Sequence, residues 1–134
     1  MPNKTSINNI RKFIWIIDMY KLYHNPRCSK SRAALAFLTQ NNYEVEVIEY
    51  LNTPLSQADI LRILVKLTVA KHMLIRSGDD DFKALNISDV EKRSDSEIAE
   101  ILVKTPKLMQ RPILETETKA AIARPIEDMI AILE

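Results

Sequence analysis

The sequence predicts an α/β fold: a βαβ unit, a helical insertion in the middle of the chain, and a closing ββα unit. Three observations carry that expectation. Short extended-prone segments are read toward both ends of the chain, apolar residues in its middle recur at helical spacing, and Pro and Asn punctuate the joins. The 134 residues, 46% of them hydrophobic, are enough for a single core without external staples. Residues 19–134 are expected to form this one domain, since no repeat, low-complexity tract or linker divides them.

The elements follow in order. Tyr20, Leu22 and their neighbours are extended-prone, His24-Asn25-Pro26 breaks the run, and Ala34, Phe37 and Leu38 recur at helical spacing until Asn41-Asn42. Glu44 to Tyr50, with Val45, Val47 and Ile48, reads as a second strand. A helical crossover of this length places it parallel to the first. Ser56 caps a helix whose apolar face is Ile60, Leu61, Leu64 and Leu67, and a shorter helical piece is expected over Val69 to Ile75. Ser77 to Asp81 interrupts it, and Phe82 to Leu85 reads as one further helical turn. Ser94 and Glu97 form a capping box ahead of Ile98, Ile101 and Leu102, with Pro106 marking the end. Ile113 to Glu115 and Lys119 to Ile122 are two short strands around a Thr116-Glu117 turn. Pro125 suits the first turn of a last helix that carries Ile126, Met129, Ile130 and Leu133 on one side.

Residues 1–18 read as an N-terminal extension. Met1 to Asn9 is polar, while Ile10, Phe13, Ile14 and Ile17 form one helical stripe beside Arg11 and Lys12. A helix packed on the domain, a frayed tail, sequence upstream of a start at Met19, or a membrane-surface or partner helix all fit this pattern. Its apolar run from Phe13 to Ile17 is far shorter than a bilayer span or a signal-peptide core, so a soluble, cytoplasmic protein is expected.

Composition excludes several function classes. With 19 Lys+Arg against 18 Asp+Glu, no whole-molecule field favours nucleic acid or an acidic membrane, and neither is expected as a partner. The single glycine, Gly78, removes the Gly-rich loops that cradle nucleotide phosphates. One cysteine, Cys28, cannot form an internal disulfide or a dithiol redox pair, and with only His24 and His72 beside it no metal site is expected.

Cys28 follows a strand and loop where the next helix begins. Unpaired backbone N–H groups and the positive helix end favour a thiolate there. Arg27, Lys30 and Arg32 add positive charge, and Ser31, three residues on, can aim its hydroxyl at the sulfur. The alternative is a small buried hydrophobe without reactivity, a common state of free cysteine. A phosphatase-type loop is disfavoured, because the arginine it needs six residues after the cysteine is replaced by Ala34. His24 stands beside the loop, where it either tunes the thiol or serves as a hydrogen-bonded structural residue, the commoner use of such a histidine.

His24-Asn25-Pro26-Arg27-Cys28-Ser29-Lys30-Ser31-Arg32 resembles the active-site segment of the ArsC family, the glutaredoxin-coupled arsenate reductases with a thioredoxin-like fold. Tyr50-Leu51-Asn52-Thr53-Pro54, Leu74-Ile75-Arg76, Pro106 to Ile113 and Ala123-Arg124-Pro125 are similar to the family's later landmarks in the same order. The resemblance runs from Met19 to the C-terminus. It implies that Cys28 is the nucleophile, that Arg76, Arg111 and Arg124 surround the oxyanion, and that Arg111-Pro112 stands where thioredoxin-like folds hold a cis proline. It implies further an arsenate reductase with no bound cofactor, glutathione as co-substrate and glutaredoxin as protein partner. The single cysteine agrees, because an oxidised Cys28 needs an external thiol for its regeneration. Two other readings stay open. One is a Spx-like regulator that binds RNA polymerase, although its Cys-x-x-Cys switch would need a thiol at Ser31. The other is a non-catalytic thioredoxin-like interaction module, in which Cys28 is buried with an ordinary pKa.

Overall fold

The computed structural model describes residues 20–134, and the extension read at 1–18 lies outside the described residues. Strand β1 (Tyr20–Tyr23) leads through a loop into helix α1 (Ser29–Gln40), and β2 (Val45–Ile48) returns parallel to β1 with Tyr20 opposite Val45 and Tyr23 opposite Ile48. The expected βαβ unit is present. Its second strand is shorter than Glu44 to Tyr50, because the N–H groups of Asn52 and Thr53 both turn back onto the Glu49 carbonyl.

Helix α2 (Gln57–Lys66) begins at a full capping box. The Ser56 hydroxyl accepts the Asp59 N–H at 3.1 Å, and the Asp59 carboxylate accepts the Ser56 N–H at 3.0 Å. The helical piece expected over Val69 to Ile75 is a tighter 3₁₀ turn, Lys71–Leu74. Helix α3 (Asp80–Lys83) starts two residues ahead of the turn expected at Phe82, because the Asp79 carboxylate caps it by accepting the Asp81 N–H at 2.8 Å. Helix α4 (Asp95–Lys104) carries the expected Ser94/Glu97 box and stops before Pro106. Strands β3 (Ile113–Glu115) and β4 (Ala120–Ile122) form the hairpin. Its turn lacks the usual Gly or Asn, and the Thr116 hydroxyl closes it by accepting the N–H groups of Thr118 and Lys119. Helix α5 (Ile126–Ile130) follows Pro125.

The sheet order is β2-β1-β3-β4, with β1/β3 and β3/β4 antiparallel. Because side chains alternate across a strand, successive residues feed two cores. Tyr23, Ile113, Ala120 and Ile122 pack with Ile60, Ile63 and Leu64 of α2 and Ile98 and Leu102 of α4. Leu22, Leu114 and Ala121 pack on the other side with Ala34 and Leu38 of α1 and with Met129 and Ile132. Of the residues expected on the apolar side of the last helix, Met129 is buried and Ile130 is exposed, while Ile132 is buried in its stead.

A polar cluster interrupts the first core. Glu115 ends the central strand β3, is only 3% exposed, and accepts from Arg62 Nε at 2.7 Å, Lys66 Nζ at 2.8 Å and the Tyr23 hydroxyl at 2.6 Å. Burial alone raises a carboxyl pKa, but the Arg62, Lys66 and Tyr23 donors outweigh it and hold Glu115 at about 2. Among the described residues no helix is long and apolar enough to cross a membrane.

Candidate active site

The topology brings four chain segments to one edge of the sheet. The C-terminal end of β1 runs into the cysteine loop, and parallel β2 ends beside it. Antiparallel β3 begins there, with Ile113 opposite Tyr23, and β4 ends there, with Ile122 opposite Ile113. Arg111 and Arg124, just outside β3 and β4, are thereby delivered to the cysteine loop.

Cys28 is the N-cap residue of α1, with extended backbone, and is 9% exposed. Burial pushes its thiol pKa up. The backbone amides of Ser31 and Lys30, the Arg111 side chain and the charge of Arg124 pull it down, and the net result lies below the ordinary value. Neither amide closes a full capping bond onto the sulfur, so the shortest contact belongs to Arg124, whose Nη2 stands 3.1 Å from Sγ. Arg124 Nε simultaneously donates to the Arg111 carbonyl at 2.7 Å. One planar guanidinium thus ties the strand pair to the nucleophile.

The loop around Cys28 is held by its own hydrogen bonds. The His24 N–H reaches the Ile48 carbonyl at 2.8 Å, fastening the loop to β2, and the Cys28 N–H reaches the Asn25 carbonyl at 2.9 Å. Asn25 Oδ1 accepts the Arg27 N–H, and Arg32 Nη1 donates to the Pro26 carbonyl. The Ser31 hydroxyl, expected to aim at the sulfur, does not: it lies 2.8 Å from His24 Nδ1 and accepts the Asn25 N–H at 3.0 Å. A fully buried hydroxyl takes the partners that satisfy it, and here the loop supplies them. Ser31 therefore reaches the thiol through its backbone amide. His24 is buried, and that burial holds its pKa below the ordinary value, so it is neutral and locks the loop.

Arg76 arrives from the long helical insertion. Ile75 bridges Met109 antiparallel, the Arg76 N–H donates to the Leu108 carbonyl and the Gln110 N–H to the Leu74 carbonyl, each at 2.7 Å. This clamp sets Arg76 beside the Gln110-Arg111 segment. Arg76 and Arg124 line one open cleft of about 430 Å³ with Gln110, Gly78, Asp79 and Asp80. Arg76 Nη1 and Arg111 Nε are buried without a hydrogen-bond partner among the described residues. Of the three arginines singled out in the sequence, Arg111 and Arg124 act on the sulfur and Arg76 shares the cleft with Arg124. The Arg111-Pro112 peptide bond is cis, and so is Arg124-Pro125, which the sequence did not suggest.

The ArsC family model matches residues 23–132. This chain belongs to the ArsC family. A Neisseria meningitidis arsenate reductase is 38% identical over 114 residues, covering 84% of this chain and 97% of that protein. The uncharacterized protein YfgD of Escherichia coli K12 is 42% identical over 116 residues, covering 84% and 95%. Among solved structures, an arsenate reductase from Vibrio cholerae superposes with a TM-score of 0.74 at 33% identity, covering 86% of this chain and 98% of its own. The α/β architecture above is the thioredoxin-like fold of these ArsC proteins.

Proposed function

We propose that this ArsC-family chain is a glutathione- and glutaredoxin-dependent arsenate reductase in which Cys28 is the nucleophile and Arg76, Arg111 and Arg124 receive the oxyanion. The observation that carries the proposal is the Arg124 guanidinium 3.1 Å from the sulfur of a cysteine whose pKa is depressed. A thiolate approaches a divalent oxyanion only if positive charge offsets their repulsion, and guanidiniums bind tetrahedral oxyanions through paired, charge-assisted hydrogen bonds. The thiolate attacks arsenic and water leaves, giving a sulfur–arsenic(V) adduct. A glutathione thiolate then attacks the Cys28 sulfur. The sulfur–sulfur bond forms as the sulfur–arsenic bond breaks, and its electron pair leaves with arsenic as arsenite. Glutaredoxin attacks the glutathione sulfur of the resulting mixed disulfide and returns Cys28 as thiolate. Arsenic gains two electrons, and one glutathione thiol and one glutaredoxin thiol are oxidised to the disulfide between them.

The chain's single cysteine supports the demand for an external donor, and the depressed thiol pKa speaks against the inert-module reading, which needs an ordinary one. Ser31, buried and bonded to His24, leaves the Spx-like reading without its second thiol. The test is arsenite production from arsenate with purified protein. Turnover is expected only with glutathione and glutaredoxin together, and none in Cys28→Ser. Arsenite formation at the wild-type rate in Cys28→Ser, or none from the wild type with both donors present, removes the proposal.

A further inference from the structure

Three buried side-chain polar atoms have no hydrogen-bond partner among the described residues: Arg76 Nη1, Arg111 Nε and the Tyr50 hydroxyl. The two arginines already have a place in the proposed site. Tyr50 has none, although it is 1% exposed and sits just beyond the end of β2, at the sheet edge that carries the cysteine loop. A small cavity of about 10 Å³ adjoins it, lined otherwise by Leu55, Ile60, Leu102, Pro106 and Met109. A buried hydroxyl left unpaired costs stability. Tyr50 stands two residues past Ile48, whose carbonyl accepts the His24 N–H of the cysteine loop at 2.8 Å, and the charges of Arg111, Cys28 and Arg124 act on its phenol.

The geometry points to the Tyr50 hydroxyl as a further ligand of the oxyanion, donating one neutral hydrogen bond beside the charged donors of Arg76 and Arg111. This rests on the oxyanion-binding reading given above. Burial raises the phenol's pKa, and although Arg111 and Arg124 oppose it, the net shift is upward, so the group stays a donor wherever the thiolate is active. Its contribution differs in kind from that of the arginines. A guanidinium offsets charge on any anion, whereas a fixed neutral donor rewards an oxygen at one corner of the tetrahedron.

The test compares the wild type with Tyr50→Phe, using arsenate and inorganic phosphate as probes that protect Cys28 from iodoacetamide, together with thermal melts. Expected is anion protection weakened by about tenfold in Tyr50→Phe, the loss of one hydrogen bond to a charged group. The melting temperature should be equal or higher, since the variant removes an unpaired buried hydroxyl and keeps the ring. Unchanged protection in the variant, with normal protection in the wild type, overturns the Tyr50 assignment alone. A lowered melting temperature or loss of cooperative folding overturns it too, because the hydroxyl is then bonded inside the protein. Absence of protection by either anion in the wild type removes both this inference and the reading beneath it.

Discussion

Arg124 makes two contacts at once, Nε on the Arg111 carbonyl and Nη2 on the Cys28 sulfur, and only a forked, planar cation can span both. Arg124→Lys should keep the charge and lose the fork. We expect iodoacetamide labelling of Cys28 at pH 6 to slow roughly tenfold, the worth of one charge-assisted hydrogen bond to the thiolate. Turnover should fall by about a hundredfold if the same group also holds the transition-state oxyanion. Equal labelling rates in the two proteins would show that the sulfur does not depend on this contact. At this scale Cys28 was legible because its placement between a strand and a helix is a local property. The arginines were legible only jointly, through the resemblance. The unpaired Tyr50 hydroxyl had no signal because an aromatic residue at a strand end reads as packing, and the Ser31 hydroxyl turned away from the sulfur because His24, seven residues away, competes for it. No periodicity encodes that competition.

Elements were legible where a local chemical signal fixes them. Both Ser-initiated capping boxes are present, and each satisfies orphan amides with partners three residues away. Ser94→Ala should therefore lower stability by about 1 kcal/mol, read as a shifted urea midpoint with unchanged slope. An unshifted midpoint would mean that α4 is held wholly by its packing against α2. The elements that differed from expectation did so for tertiary reasons. β2 ends early where the Glu49 carbonyl gathers two turn amides, and the segment before Ile75 tightens into a 3₁₀ turn leading into the Ile75–Met109 bridge. That bridge joins residues 34 apart in the chain and has no signature in either segment alone.

For the whole molecule the least legible feature is the Glu115 cluster, because a strand-end glutamate reads as solvated and its partners Tyr23, Arg62 and Lys66 come from 92, 53 and 49 residues away. The available hint was Arg62 and Lys66 one helical turn apart on α2. Their effect on stability has a definite sign. Glu115 titrates near 2 in the folded protein against an ordinary 4.5, so below that ordinary value the unfolded chain binds more protons and stability falls as pH drops toward 2. His24, with its pKa below 6.5, adds a loss of the same sign that begins nearer neutrality. Melting temperatures should decline with acidification, and Glu115→Gln should be less stable at pH 7 with a flatter profile between pH 5 and 2. A variant as stable as the parent at pH 7 would show that the cluster contributes nothing net. The depth of the sulfur has a different consequence. A nucleophile whose residue is only 9% exposed admits visitors by girth. On the proposed mechanism a slender tripeptide thiol would reach it where a folded protein would not, and glutaredoxin would meet glutathione already attached. The order of those proposed donors would then follow from access to the sulfur rather than from affinity.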